Sequence, residues 1–435
     1  MRGISFQNKK TASRCHIWQM LRAYARKRHV SFHTPGHKSG KFDITELSFS
    51  DNLSSPRGVI AKAQADITNV LGATASFILT DGSTSGVFSM LFAAKKAGVK
   101  MVAFFENVHK SVYNACAVLQ LTPIVLPVSY TDNIPNPPTM YALNEVLKQV
   151  LVADALLLTS PDYYGQIGEL EKISAFLKER GKLLLIDGAH GGHLHFDKKL
   201  YAGTFADLWV DGVHKSLPAF TQGAIVSANG ETIAEYLREA VDIFRTTSPS
   251  YPIMASVEYA VKYPQNKTLE SLVKEYAKNE VRFKVSQDWT KVCALFGKNA
   301  FQAEKYFENK GIYAEFCDGN VVIFYLSPAT KTRDFTLLKK ELTKAFSLFP
   351  LENKIESEQI PAPVVFHKTA ETIWVSLDHA EGKICAGTCG LFPPCTPLIR
   401  VGERIDSEKL YLLKNANNVF GLHENKILVY KEEEL

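Results

Sequence analysis

Short, near-continuous apolar runs recur through the first half of the chain: 75–80 (ASFILT), 101–105 (MVAFF), 123–128 (PIVLPV), 154–159 (DALLLT), 182–187 (KLLLID), 207–211 (DLWVD) and 222–227 (QGAIVS). Runs of that length without polar alternation read as strands covered on both faces. Helix-like stretches at 86–97, 140–151 and 169–180 lie between them. This is the βαβ rhythm of a parallel sheet. The rhythm stops near residue 230. Residues 231–315 then read as mainly helical, and isolated strands follow at 320–326 and 371–377. The pattern predicts an α/β fold with a mostly parallel sheet in a large domain at 31–260. A helical arm at 1–30 precedes it, and linker helices with a smaller α+β domain fill 261–435.

In an open parallel sheet, ligands bind beyond the carboxyl ends of the strands. The residues just after each run are therefore the ones to inspect. They are Asp81-Gly82-Ser83-Thr84-Ser85-Gly86, Glu106-Asn107-Val108-His109-Lys110, Ser160-Pro161-Asp162-Tyr163-Tyr164-Gly165, Asp187-Gly188-Ala189-His190 and Gly212-Val213-His214-Lys215. Polar, glycine-rich and titratable groups thus gather at one rim.

Composition narrows the setting. Of 435 residues, 46% are apolar and 22% charged, with a net charge of +5. That is a globular balance, and too mild a charge to argue for nucleic acid. The basic run Arg22, Arg26, Lys27, Arg28 is local and reads as a solvated helix face. Seven irregularly spaced cysteines argue against a disulfide framework and for a reducing compartment. Cys385, Cys389 and Cys395 cluster without a Cys-x-x-Cys pair, so no zinc site is expected. The N-terminal stretch lacks an apolar core of signal-peptide length, and no run of about 20 apolar residues occurs. A cytoplasmic protein without membrane spans is the expectation.

The rim suggests chemistry. Gly82–Gly86 is a hydroxyl-rich loop opening a helix, suited to a phosphate or simply to capping. Asp187 at a strand end can pair with a protonated ring nitrogen, or serve as a helix cap or turn residue. Lys215 can form an imine with an aldehyde, although a lone lysine is usually solvated. The order of these pieces at successive strand ends is more telling than any one of them. His190, His193 and His195 with Asp187 offer a competing metal reading, weakened because no second carboxylate cluster stands near. His-Lys-Ser occurs at 37–39, 109–111 and 214–216. Only Lys215 follows the aspartate strand.

At these residues the chain resembles the bacterial ornithine/lysine/arginine decarboxylases in their shorter form. The matching segments are Phe32-His33-Thr34-Pro35-Gly36-His37-Lys38, SPRGVIAKAQ, DGSTSG, Asn107-Val108-His109-Lys110-Ser111 and TSPDYYG. They continue with Asp187-Gly188-Ala189-His190, His214 to Gln222, TTSPSY at 246–251, and LFPPCTPLIRVGE. The resemblance implies the aspartate-aminotransferase-like fold and pyridoxal 5'-phosphate (PLP) as cofactor. It implies that Lys215 bonds PLP, Asp187 pairs with the pyridine nitrogen and His109 stacks on the ring. Ser83, Thr84 and Ser85 would cradle the phosphate, with His190 and His214 also lining the cofactor. Thr247 and Ser248 resemble a segment that reaches the partner subunit's cofactor, which implies a homodimer. The reaction implied is α-decarboxylation of arginine, lysine or ornithine. Departures stand at Gly188, usually acidic, and at Gly212-Val213, usually Ser-Thr. Others are Glu106, often basic, Arg400, usually apolar, and Cys395, usually glycine. An aminotransferase would need an arginine to clamp the substrate carboxylate, and Arg400 is the available candidate.

Overall fold

The computed structural model describes residues 6–38, 41–131, 134–351, 371–391, 397–416 and 418–431. The seven apolar runs form β1 (Ala75–Leu79), β2 (Met101–Phe105), β3 (Thr122–Leu126), β4 (Ala155–Thr159), β5 (Leu183–Gly188), β6 (Leu208–Asp211) and β7 (Ala224–Ala228). They make one sheet in the order β1-β7-β6-β5-β4-β2-β3.

Why the runs are apolar throughout is visible strand by strand. Leu156, Leu158, Leu184, Ile186, Trp209 and Ile225 belong to the core on one face. Their chain neighbours Ala155, Leu157, Leu185, Leu208, Val210, Ala224 and Val226 belong to the core on the other. Successive side chains point to opposite faces, and both faces are roofed by helices. Burial of each such Leu or Ile contributes about 1.5–3 kcal/mol.

The sheet is mostly parallel, with one exception to the βαβ rhythm. β7 runs antiparallel to both neighbours, β6 and β1. A parallel return needs a crossover of a dozen or more residues, usually a helix. Between β6 and β7 the only helix is the four-residue Val213–Ser216, so the chain turns back directly.

The region at 231–315 is mainly helical as expected, with helices Glu231–Phe244, Tyr251–Val261, Lys267–Asn279 and Ala300–Asn309, but it also holds two strands the pattern did not predict, β8 (Phe283–Val285) and β9 (Lys291–Leu295). With β10 (Phe316–Cys317) and β11 (Val321–Tyr325) they form an antiparallel sheet in the order β8-β9-β11-β10. β9 is buried at every position. A short strand of that kind, buried at every position, cannot be told from a buried helical turn by periodicity. The 140–151 stretch is two short helices, Met140–Glu145 and Leu147–Val152. Further on, Thr372–Ser376 pairs with Lys426–Tyr430.

The N-terminal arm is a helix, α1 (His16–Arg26). Its free first-turn amides are satisfied by buried Glu258, whose carboxylate oxygens accept from His16 N (2.6 Å) and Ile17 N (2.9 Å).

Candidate active site

The carboxyl ends of β1, β2, β5 and β6 bring the rim residues together. β1 leads through Gly82, at φ +89°, into α2 (Ser83–Lys96). α2 lies close on the sheet because Gly86 has no Cβ: one would stand 2.9 Å from Leu79 Cδ1 and from Val210 Cγ1. Of the three hydroxyls expected at this loop, Ser85 Oγ donates to Asp81 Oδ1 (2.8 Å) and Thr84 is exposed. Ser83 Oγ is buried and has no partner among the described residues. Open helix-end amides beside an orphaned buried hydroxyl fit a phosphate.

Position 212 completes this cradle. A Cβ on Gly212 would stand 2.3 Å from the Ala189 carbonyl oxygen and 2.8 Å from Ser83 Oγ, so no side chain fits. Val213 is buried in the core. His214, next in line, is fixed by contacts of its N–H and its Nδ1 with the Gly223 carbonyl, both 3.0 Å.

Lys215 Nζ lies 3.2 Å from His190 Nε2 and 6.0 Å from the centre of the Tyr163 ring. Asp187 is buried and accepts from the Ala189 N–H at 3.2 Å. Burial pushes its carboxyl pKa up, while the positive charge of Lys215 pulls it down. His109 caps α3 (Lys110–Leu119), with Nδ1 accepting from Ser111 N at 3.1 Å. Burial, then Lys215 and Lys110, push its ring down to about 3, so it is neutral near pH 7. His190 is pushed well below its ordinary value by burial, then by Lys215 and Lys291. Burial lowers His214 as well, and Lys215 adds to the effect. Lys215 thus bears electrostatically on Asp187, His109, His190 and His214 at once.

The other two His-Lys lysines are placed elsewhere. Lys38 Nζ donates to the His33 carbonyl, and Lys110 Nζ lies 4.8 Å over the Phe420 ring. The three histidines of the metal reading separate. His190 faces Lys215, His193 Nε2 meets Asp288 Oδ1 at 2.8 Å, and His195 Nδ1 meets the Gly192 carbonyl at 2.7 Å. His16, Asp66 and Glu258 come together as metal ligands could, but Lys262 Nζ already lies between them, 2.6 Å from Asp66 and 2.9 Å from Glu258.

Thr247 and Ser248 are exposed, beside Thr246, whose N–H donates to Asp81 Oδ2 at 3.0 Å. Arg400 is paired with Glu106, Nη2 to Oε2 at 2.5 Å, and its own N–H donates to Glu403 Oε2 at 2.9 Å. Two positions that read separately as departures from the family pattern are one ion pair. The Glu106 carboxylate offsets the guanidinium's charge, which weakens the case for Arg400 as a clamp for a substrate carboxylate. Ser39 and Cys395 lie outside the described residues.

Sequence reasoning missed the walls of the site. His190 is flanked by Tyr163 (ring centres 4.3 Å apart) and Tyr325 (5.5 Å), and Tyr325 Oη donates to the Tyr163 carbonyl at 3.0 Å. Tyr163 stood in TSPDYYG and could have been singled out as an aromatic at the rim. Tyr325 reaches the site from the second sheet, and no local signal marks it.

A family model described as Orn/Lys/Arg decarboxylase, major domain, matches residues 41–296. The uncharacterized protein YaaO of Bacillus subtilis (strain 168) is 28% identical, over 96% of this chain and 99% of its own. The arginine decarboxylase of the same organism is 25% identical, over 92% of this chain and 93% of its own. Among solved structures, the constitutive lysine decarboxylase of E. coli superposes with a TM-score of 0.73 at 17% identity, covering 96% of this chain and 82% of that one.

Proposed function

The chain belongs to the Orn/Lys/Arg decarboxylase family, matched by its model over more than half the sequence, and from that premise we propose that it removes the α-carboxylate of arginine, lysine or ornithine with PLP held at Lys215. The observation that carries this reading is convergence: Lys215 lies within electrostatic reach of Asp187, His109, His190 and His214 at the open end of the sheet. The relatives named arginine and lysine decarboxylases support a basic amino acid as substrate.

PLP supplies an electron sink for the pair left when carbon dioxide departs. The protein's share is placement. The helix-end amides of α2 and the Ser83 hydroxyl would bind the phosphate. Asp187 would hold a proton on the pyridine nitrogen, and its burial makes that pairing strong because little water competes. The neutral His109 ring would lie on one face of the cofactor without adding charge. Lys215 Nζ is the amine that would bond the cofactor, oriented by the His190 ring.

The test is a panel of single amino acids offered to the purified protein with PLP, with carbon dioxide release and product amine both measured. Release from a basic amino acid with the matching amine supports the reading. A keto acid product with no carbon dioxide would replace it with an aminotransferase.

We propose further that the protein is a homodimer in which Thr247 or Ser248 of one subunit reaches the partner's phosphate site. Their exposure beside the Asp81 turn supports this. Mixing Lys215→Ala subunits with Thr247→Ala/Ser248→Ala subunits should restore activity in heterodimers. Absence of recovery in proven heterodimers rejects a shared site. A cytoplasmic location is proposed from the cysteines, since the six described ones are free and buried. No helix among the described residues is long and apolar enough to cross a membrane. Recovery of the protein in an exported fraction would reject the location.

A further inference from the structure

Behind His190 lies a buried charged cluster that the proposed chemistry does not use. Lys291 opens β9 with its side chain only 1% exposed, and Asp288 is fully buried. An ammonium in such a place is costly unless every proton is occupied. Here Lys291 Nζ donates to the His190 carbonyl at 2.7 Å and to Thr290 Oγ1 at 3.1 Å, and sits 2.8 Å from Asp288 Oδ2. The opposite oxygen of Asp288 meets His193 Nε2 at 2.8 Å and accepts from Thr290 Oγ1 at 2.7 Å. The Asp288 N–H donates to the Gly165 carbonyl at 3.0 Å, which ties the cluster to the Tyr163–Gly165 turn.

The cluster therefore grips His190 from behind. The carbonyl is held by Lys291, and the ring is boxed by Tyr163 and Tyr325. Lys291 itself lies 5.0 Å over the Tyr325 ring. The imidazole turns its Nε2 to Lys215 Nζ, 3.2 Å away. The second-sheet residue Lys291 thus touches the backbone of the histidine that meets Lys215 at the end of the first sheet.

We propose that Lys291 is a positioning residue for Lys215: it anchors the His190 carbonyl, sets the imidazole against the Lys215 amine, and by its fixed positive charge favours the uncharged form of that amine. The proposal rests on the functional reading only in taking Lys215 as the reactive amine. The groups that face Lys215 include Asp187, His109, His190, His214, Glu315 and Tyr163. Asp187 and Glu315 oppose the effect of Lys291, and the histidines are held neutral by burial.

The experiment uses the full-length protein with Lys291→Met and with Asp288→Asn/Lys291→Met. The double variant removes both members of the ion pair, so it leaves no buried charge uncompensated should the single variant not fold. Two readouts are taken against pH: the absorbance of the Lys215-linked cofactor, and acetylation of Lys215 by acetic anhydride before PLP is added, followed by peptide mass spectrometry. In Lys291→Met the titration midpoint should rise by about one pH unit. In the double variant it should rise by less, because the opposing charge of Asp288 is lost too. Midpoints at the wild-type value in folded variants would overturn the proposal. Failure of the wild type to release carbon dioxide would overturn the functional reading while leaving the acetylation result standing.

Discussion

Replacing Arg400 with methionine should destabilise the protein by about 2–3 kcal/mol, through the charge it leaves behind. Arg400 Nη2 and Glu106 Oε2 are 2.5 Å apart, with side chains 15% and 7% exposed. Unit charges at that separation attract by about 6–7 kcal/mol at an effective dielectric constant near 20. Desolvation of both ions offsets most of that gain. Removing the arginine deletes the attraction but keeps the burial cost of Glu106, and breaking a fully buried pair costs about 3–5 kcal/mol. The cost here falls below that range because Arg400 retains some solvent contact and Glu106 Oε1 still accepts from Val128 N at 3.2 Å. Glu106→Gln/Arg400→Met leaves no lone charge and should cost about 1 kcal/mol or less. The assay is urea unfolding of wild type, both single variants and the double variant, all loaded with PLP, compared at constant m. Additive single-variant effects, or an Arg400→Met midpoint equal to wild type, would refute the reasoning. Glu106 also begins the turn that carries His109, so Arg400→Met should weaken PLP binding as well.

Asp187→Asn should keep the fold and bind PLP but cut turnover at least a hundredfold, about 2.7 kcal/mol of barrier, because an amide cannot hold the pyridinium proton; near-normal kcat in the loaded variant excludes the role. His109→Ala should raise the dissociation constant for PLP through lost stacking worth about 0.5–1.5 kcal/mol, read by fluorescence titration, and an unchanged constant assigns His109 to capping alone. Burial raises the Asp211 carboxyl to about 7, against the pull of hydrogen bonds from Tyr201 and Trp209. The folded state then holds this proton more tightly than the unfolded chain, whose value is about 3.9. The contribution to stability is therefore full below pH 4 and lost as pH rises through 7. Asp211→Asn should flatten the fall in stability across that window by up to about 1.4 kcal/mol per pH unit, measured by urea unfolding at each pH, whereas an unchanged slope would place the titration elsewhere.

The parallel core of the fold was legible because both-face burial writes itself into the sequence as unbroken apolar runs. The direction of β7 was not, since it depends on the length of a connection rather than on the strand's own residues. β9 was hidden for a related reason: KVCAL is short and buried on all sides, so neither period shows. At the candidate site, Lys215, Asp187, His109 and His214 could be singled out because each stands at or just after the end of a strand at the same rim. The grip of Lys291 on His190 joins residues 101 apart across two sheets, and no spacing rule reports such a contact. Glu106 and Arg400 show the same limit from the other side. Each was conspicuous alone, and only the folded chain shows that they neutralise one another.

Lys215 is the residue proposed to bond the cofactor, and borohydride reduction of the PLP-loaded protein tests this most directly. Reduction fixes the cofactor to its lysine, and peptide mass spectrometry then locates it. A single phosphopyridoxyl group is expected on the peptide containing Lys215, absent from Lys215→Ala. Modification of Lys110, Lys38 or Lys291 in its place, or no stable adduct in a protein that has bound PLP, would contradict it.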